Sequence, residues 1–387
     1  MVKEGDITFI YIERPVREVS PEVALLKKLS KETFADNHCV TILSNDPSHI
    51  TINEIIKISK TLYIAISLDN AIYYSKNWLP PLMKALNEGY ELASPVCSDI
   101  FEINMPYYTP LTFNEVAEEV RERYDGKYLN PLQFPLLAFL MEKKSLQKVN
   151  PDTPLSELPR KLKSVLVPSS LTHRFGDYYG SLRDDLLPFI PHGIKKVLDI
   201  GCARGLLGEL IKRERGCEVY GVELNREIAD DAARRLDKVF CMNIENAELP
   251  FDKDIDVVIC ADLLEHLIDP WGLLKRIKRW LRDDGIIIAS IPNTAHYSII
   301  LDLLRGRWDY IPWGLLCISH LRFFTKSTIE DMFARSGYTL MTLKPQDIPL
   351  HFKNLIRERL SEFIKIEKVQ EEIFYTGYYT VAKKRKD

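Results

Sequence analysis

The stretch VLDIGCARGLLGEL, residues 197–210, runs from an apolar strand through a glycine turn into a helix. That shape is a nucleotide site, because the first helical turn offers unpaired N–H groups and the glycines let a ligand approach the backbone. Its side chains narrow the ligand. The glycines stand at Gly201, Gly205 and Gly208, which is not the G-x-G-x-x-G spacing of a pyrophosphate turn, and no Lys-Ser/Thr pair follows to make a P-loop. Asp199 sits at the end of the strand, just before the turn. A carboxylate there repels a diphosphate and suits an ammonium group. The next strand, CEVYGVE, ends in Glu223, placed to accept hydrogen bonds from two ribose hydroxyls. The ligand therefore has a ribose and an amine and no diphosphate, a composition that S-adenosylmethionine meets. The bland alternative for both acids is helix capping.

Regular elements must hold these residues in place. From Lys195 the segments KKVLDIG, ARGLLGELIKRERG, CEVYGVEL, REIADDAARRL, VFCMNIE, DVVICAD, WGLLKRIKRWL and GIIIASIPN alternate apolar runs with helical patterns. This is the pattern of a parallel sheet wrapped by helices. A helix in KSTIEDMFARSGY, a strand TLMTLKPQ, an amphipathic helix near 352–370 and a last strand FYTGYYTVAKK follow. The last two strands suit a hairpin at the sheet's edge. The first half alternates as well: ITFIYIE, the helix PEVALLKKLSKETF, CVTILSN, a helix near INEIIKIS, and TLYIAISLD. Beyond Trp78 proline is frequent, which predicts loops and short segments packed on a sheet. The boundary falls in FGDYYGSL (175–182), placing domains at 1–176 and 177–387.

The second half resembles the class I S-adenosylmethionine-dependent methyltransferases, within them the ubiquinone-biosynthesis-like and sugar-modifying branch. The resemblance lies in VLDIGCARG (197–205), GVELN (221–225), DVVICADLLEHLIDPWGLLKRIKRWLRDDGIIIASIPN (256–293) and SHLRFFTKSTIEDMFARSGY (319–338). It implies a Rossmann-like domain with a seven-stranded sheet. It also implies that Asp199, Gly201 and Gly205 line the methionine moiety and that Glu223 holds the ribose. Asn243 and Glu245 would read the adenine edge and Asp262 would follow the fourth strand beside the sulfonium, with Tyr178 and Tyr179 touching the cofactor from the domain's start. Where the family has a middle glycine this chain has Ala203, which a negative φ accommodates. Three histidines are candidates on the acceptor side. His266 is either a general base or a helix histidine packed under the cofactor. His296 follows the fifth strand, where acceptors sit, and His320, with Arg322, either orients an anionic or sugar acceptor or shapes its own turn.

The first half resembles, over residues 5–176, the GT-A-fold glycosyltransferases of the family 2 type. TLYIAISLDNAIYYSKNWLPPLMKALNEGYELASPVC (61–97) matches the strand, acidic element and following helix of that family. FPLLAFLMEKKSLQKV (134–149) matches its acceptor-side strand and helix, and VLVPSSLTHRFG (165–176) the segment whose histidine completes a metal site. This implies an Mn²⁺ or Mg²⁺ site at Asp69 and His173. The second acid is missing, since Asn70 and Ala71 follow Asp69. A glycosyltransferase-like domain that keeps binding without transfer fits that loss.

Lys and Arg (52) nearly cancel Asp and Glu (55), so no global field favours nucleic acid. The seven cysteines form no CxxC pair and read as reduced buried thiols. No run of ~18 apolar residues occurs, and the N-terminus lacks a leader's pattern, so a cytoplasmic α/β protein of two domains is expected. The basic end AKKRKD is either a solvated tail or a contact with an anionic membrane surface. The leading reading is a methyltransferase that O-methylates a sugar of a glycan or glycolipid, with the first half binding that acceptor or a nucleotide sugar. The alternatives are a bifunctional glycosyltransferase and methyltransferase, a methyltransferase of small quinone-like molecules, and a non-catalytic assembly protein. A nicotinamide dehydrogenase is opposed by Asp199 and the glycine spacing.

Overall fold

In ITFIYIE, Phe9 and Tyr11 pack into one apolar cluster while Ile10 and Ile12 pack into another. Such two-sided burial marks a strand inside a sheet covered on both faces. The computed structural model describes residues 7–13, 25, 38–43, 50–68, 72–98, 110–133, 138–174, 179–312, 314–347, 353–354, 356–357, 360 and 371–385. The chain divides into two compact units, Met1–Gly176 with Asp309–Ile318, and Asp177–Trp308 with Ser319–Asp387.

The first unit contains β1 (Ile7–Glu13), β2 (His38–Leu43), β3 (Tyr63–Ser67), β4 (Ile72–Tyr74), β5 (Leu92–Cys97), β6 (Ala138–Glu142) and β7 (Ser164–Arg174). They form one seven-stranded sheet in the order β2-β1-β3-β6-β5-β7-β4. β1 is parallel to β2 and β3, whereas β6 runs antiparallel to both of its neighbours. Helix α1 (Ile52–Ile58) starts where Glu54 accepts a hydrogen bond from the Thr51 amide at 2.7 Å, and it buries Ile52 and Ile55. Helix α2 (Leu79–Asn87) follows Trp78 and buries Leu82, Ala85 and Leu86 against the opposite sheet face. The helix and strand read after Trp78 are α2 and β5 (Leu92–Cys97), while the expectation of only loops and short segments beyond them is overturned by the 15-residue α3 (Pro110–Tyr124). Proline at the first helical position satisfies α3's entry instead of breaking it, and Phe113, Val116, Ala117 and Val120 supply a buried stripe. Apart from residue 25, the helix expected over 21–34 lies outside the described residues.

In the second unit β8 (Lys196–Ile200), α4 (Leu206–Arg215), β9 (Glu218–Glu223), α5 (Arg226–Ala232), β10 (Lys238–Cys241), β11 (Ile255–Ala261), α6 (Pro270–Trp280), β12 (Leu281–Pro292), α7 (Tyr297–Leu304), α8 (Lys326–Arg335), β13 (Tyr338–Gln346) and β14 (Gly377–Lys384) succeed one another. Their sheet has the order β10-β9-β8-β11-β12-β14-β13. It is parallel from β10 to β12, and β14 is antiparallel to both β12 and β13. The edge hairpin expected from the last two strands is present, with β14 innermost. Asp269 caps α6 by accepting from the Gly272 amide at 2.9 Å, and Pro270 occupies its first turn. Leu273, Leu274, Ile277 and Trp280 then face the sheet, each burial stabilising by about 1.5–3 kcal/mol. Leu207 and Ile211 of α4 pack on the other face.

Strand order reverses between β8 and β11, so their carboxyl ends open a crevice, the usual ligand position in such sheets. Asp199, the glycine turn and Asp262 all lie there. Within the basic end, Ala382–Lys384 belong to β14 and Lys384 donates to the Leu281 carbonyl at 2.7 Å, while Lys386 and Asp387 lie outside the described residues. All seven cysteines are thiols, but Cys39 and Cys241 are exposed, contrary to the expectation of uniform burial. No helix among the described residues is long and apolar enough to cross a membrane.

Candidate functional site

Hydrogen bonding closes the glycine turn onto the next strand, since the amides of Gly201 and Cys202 donate to the Val222 carbonyl at 2.8 and 3.0 Å. Gly201 and Gly205 have φ of 78° and 76°, left-handed values that a glycine adopts freely. Ala203 departs from the expectation of negative φ, standing at 48°. The closed turn dictates that value, and its amide donates to Glu223 Oε2 at 3.1 Å. A left-handed alanine costs roughly 1–2 kcal/mol, and glycine loses roughly 0.4–1 kcal/mol to its freer unfolded chain. Ala203→Gly is therefore expected to raise stability slightly, by less than ~1 kcal/mol. Urea unfolding checks this, and a loss larger than that would contradict the strain.

Asp199 is 2% exposed and Glu223 7%. Burial, followed by the charge of Glu223, pushes the Asp199 carboxyl up to about 7, against the opposing pull of Arg183. Burial also raises Glu223, although the amides of Asn225, Ala203 and Leu224 hold it down. Neither acid is a helix cap: Gly205 opens α4, and α5 is capped by Asn225, which accepts from Ile228 at 3.2 Å. Glu223 accepts the Ala203 and Asn225 amides at 3.1 and 2.9 Å. A carboxylate has about four acceptor directions, so roughly two remain for ligand hydroxyls.

Asp262, read as the residue beside the sulfonium, is held by a clamp that sequence reasoning missed. Arg183 forms a bidentate pair with Asp185, both distances 3.1 Å, donates to Ser290 Oγ at 3.0 Å and pairs with Asp262. Ser290 donates to Asp262 Oδ1 at 2.8 Å, and Tyr379 donates to Asp185 at 2.7 Å. The only sequence signal for this clamp was the close Arg183 and Asp185 pair. Its partners come from β12 and β14, distant in sequence. Asn243 and Glu245 form a local turn, with the Glu245 amide donating to Asn243 Oδ1 at 2.9 Å. The Glu245 carboxylate accepts the Asp269 amide at 2.9 Å, linking the proposed adenine edge to the start of α6. Tyr178 lies outside the described residues.

The three histidines separate. His296 is fully buried, caps α7 and places Nδ1 2.9 Å from Ser298 Oγ, and burial lowers its pKa to about 3. Desolvation disfavours the imidazolium that proton abstraction would create, so the burial of His296 and its cap on α7 favour a packing role over that of a general base. His266 and His320 do come together, with ring centroids 4.7 Å apart and planes at 81°. Glu265, which the sequence reading passed over, lies beside both, with one ligand atom from each of the three within 4.8 Å of the others. It is 1% exposed, and burial with the charge of Asp262 raises its carboxyl well above the usual range. In the first unit His173 lies on β7 with Nδ1 2.9 Å from Ser98 Oγ, while its intended metal partner Asp69 is outside the described residues.

Residues 170–343 match the family model of a methyltransferase domain. The C-terminal half is a class I S-adenosylmethionine-dependent methyltransferase domain. It is similar to the ubiquinone biosynthesis O-methyltransferase of Idiomarina loihiensis, 33% identical over 147 residues, covering 36% of this chain and 59% of that protein. The enzyme of the same name from Acinetobacter baylyi is 29% identical over 121 residues, covering 30% and 50%. The chain thus spans a half to three-fifths of the length of these curated relatives. An S-adenosylmethionine-dependent methyltransferase from Archaeoglobus fulgidus aligns over 54% of this chain and 100% of its own, at 23% identity and a TM-score of 0.40. In the methyltransferase domain the two acids at the ends of β8 and β9 stand where the crevice opens, and the Asp262 clamp closes its β11 side.

Proposed function

We propose that the methyltransferase domain holds S-adenosylmethionine across the ends of β8, β9 and β11 and transfers its methyl group to a hydroxyl of a small organic molecule. The observation that carries this is the pair of buried carboxylates, Asp199 and Glu223, around a turn whose backbone is closed on β9. Asp199 supplies a counter-charge for the α-ammonium, Glu223 takes the ribose hydroxyls, and the Asn243–Glu245 turn faces the adenine. Bound there, the cofactor supplies an electrophilic methyl on a sulfonium. Charge disappears as the methyl moves, so alignment of acceptor and methyl supplies much of the rate. Asp262 enters as a neutralised group, its charge compensated by Arg183, and it positions more than it attracts.

The named relatives favour a small hydroxylated acceptor, both being ubiquinone biosynthesis O-methyltransferases. A sugar acceptor, presented by a glycosyltransferase-like first unit, is the second reading. What supports it is that the matching segments form regular elements in the expected order: the strand β3, the helix α2 after Trp78, the strand β5 through Ser94-Pro95-Val96, and β7, which carries His173. Incubation of the full chain with S-adenosylmethionine carrying a labelled methyl, and with separate pools of polyphenols, quinols and nucleotide sugars, tests both. Label in a phenolic ether supports the first reading and label in carbohydrate the second. Absence of transfer to any pool, together with no melting shift from S-adenosylhomocysteine, would refute the cofactor assignment itself.

A further inference from the structure

The turn that follows β10 is fixed at both ends. Met242 donates its amide to the Glu223 carbonyl at 3.0 Å, which holds the turn to β9. The other end is held by α6. Arg276, well inside that helix, donates through Nη1 to the Glu245 carbonyl at 2.7 Å and through Nη2 to the Ile244 carbonyl at 2.6 Å. Two successive carbonyls thus share one planar guanidinium, a fork that a lysine cannot reproduce. At the start of the same helix the Asp269 amide donates to Glu245 Oε1 at 2.9 Å. Glu245 is therefore held by its backbone and by its side chain.

Arg276 makes these bonds at a cost, because its Nε is buried with no hydrogen-bond partner among the described residues. What the cost secures is the orientation of a neighbour. Glu245 donates its amide to Asn243 Oδ1 at 2.9 Å, and of the two ends of an asparagine amide only the oxygen accepts. Turning that amide over would set Nδ2–H against the Glu245 N–H, donor against donor. The bond therefore settles which way Asn243 lies for as long as Glu245 stays in place. A carbonyl oxygen has two acceptor directions, and Glu245 takes one of them.

We propose that Arg276 is a positioning residue for base recognition: by fixing Ile244 and Glu245 it keeps the Asn243 amide oxygen, with its second acceptor direction, available to the exocyclic amine of adenine. The inference rests on the reading that sets the adenine against the Asn243–Glu245 turn. A freely turning asparagine would offer its oxygen to an amine and its NH₂ to an oxo group, and would separate the two bases poorly. A fixed one accepts from the amine and meets an oxo group with acceptor against acceptor. Selectivity for adenine then depends on a residue of α6 that need not touch the base.

Calorimetric titration of the full chain with S-adenosylhomocysteine and with S-inosylhomocysteine, which carries an oxo group in place of the amine, tests this through the ratio of the two Kd values. Wild type is expected to favour the adenosyl compound by about 30-fold, the effect of one mismatched polar pair. In Arg276→Met the ratio should fall below ~3, chiefly through adenosyl binding weakened about tenfold. Arg276→Lys, which keeps one charged donor, should lie between. A tie that served stability alone would lower both affinities together, so a wild-type ratio in folded Arg276→Met overturns the proposal. Asn243→Ala should abolish the ratio by itself, and Arg276→Met added to it should change the ratio no further, because residues acting through one contact are not additive. A further change would show that Arg276 does not act through Asn243. Should Arg276→Met not fold, Arg276→Lys decides: a ratio reduced at least about threefold supports the role and an unchanged one overturns it. A wild type that binds S-adenosylhomocysteine without preferring it sinks the adenine placement and this role with it, and one that binds neither compound sinks the cofactor reading. A preference lost in Asn243→Ala and kept in Arg276→Met sinks the role of Arg276 alone.

Discussion

Glu223→Ala weakens S-adenosylhomocysteine binding by more than ~100-fold, because two hydrogen bonds to a charged acceptor contribute roughly 1.5–3 kcal/mol each. The carboxylate serves two purposes. It accepts the Ala203 and Asn225 amides at 3.1 and 2.9 Å, which ties the glycine turn to the start of α5. Its remaining acceptor directions are those assigned to the ribose hydroxyls. Alanine removes both roles, whereas Glu223→Gln keeps one carbonyl acceptor and abolishes the charge. An intermediate loss of about tenfold is therefore expected for the amide. Isothermal titration of both variants, with urea unfolding as the control for the turn, reads the two contributions separately. Equal affinity in wild type and Glu223→Ala would remove the ribose assignment.

Asp199 yields the second large effect, and its sign depends on pH. Its carboxyl is pushed up to about 7 in the ligand-free protein, first by burial and then by Glu223. An unfolded aspartate titrates near ~3.9. A folded pKa raised above the unfolded one gives stability that is fully present below ~3.9 and is lost as pH rises through about 7. The ligand-free protein therefore carries a cost at pH 8 that Asp199→Asn relieves. The variant should unfold at higher urea than wild type, by on the order of a few kcal/mol. Cofactor binding moves the opposite way, since an α-ammonium prefers the ionised acid. Affinity for S-adenosylhomocysteine should fall up to ~10-fold for each pH unit below 7 in the wild type and be weak without that slope in Asp199→Asn. A flat profile in the wild type would show that no ammonium meets this carboxylate.

The parts of the site that were legible in the sequence are those set by neighbours within a few residues. The apolar run VLDI, the glycines after it and the helical spacing of Leu207, Leu210 and Ile211 place Asp199 at a strand end without knowledge of the rest of the chain. The same holds for Glu223 closing β9. The proline-rich stretch misled where a helix entered through proline: Pro110 opens α3, a position at which the missing N–H costs nothing.

By itself, then, the sequence determined the alternation of strands and helices from β8 to β12, the edge hairpin and the two acids flanking the glycine turn, but not α7. Hydrogen-bonding preference and apolar periodicity act over one or two turns of chain, so these features follow from short windows. Tertiary structure alone decided what the polar groups are. His296 stands at a strand end as an acceptor-side residue should, yet complete burial lowers its pKa to about 3 and makes it a cap. Ala203 takes a left-handed φ because the turn is bonded across to β9. Asp262 loses its bare charge to Arg183, and Glu265 meets His320 only because the loop at 321–322 is bonded to its carbonyl. Desolvation and charge pairing depend on which distant segments close over a residue, and only packing supplies that.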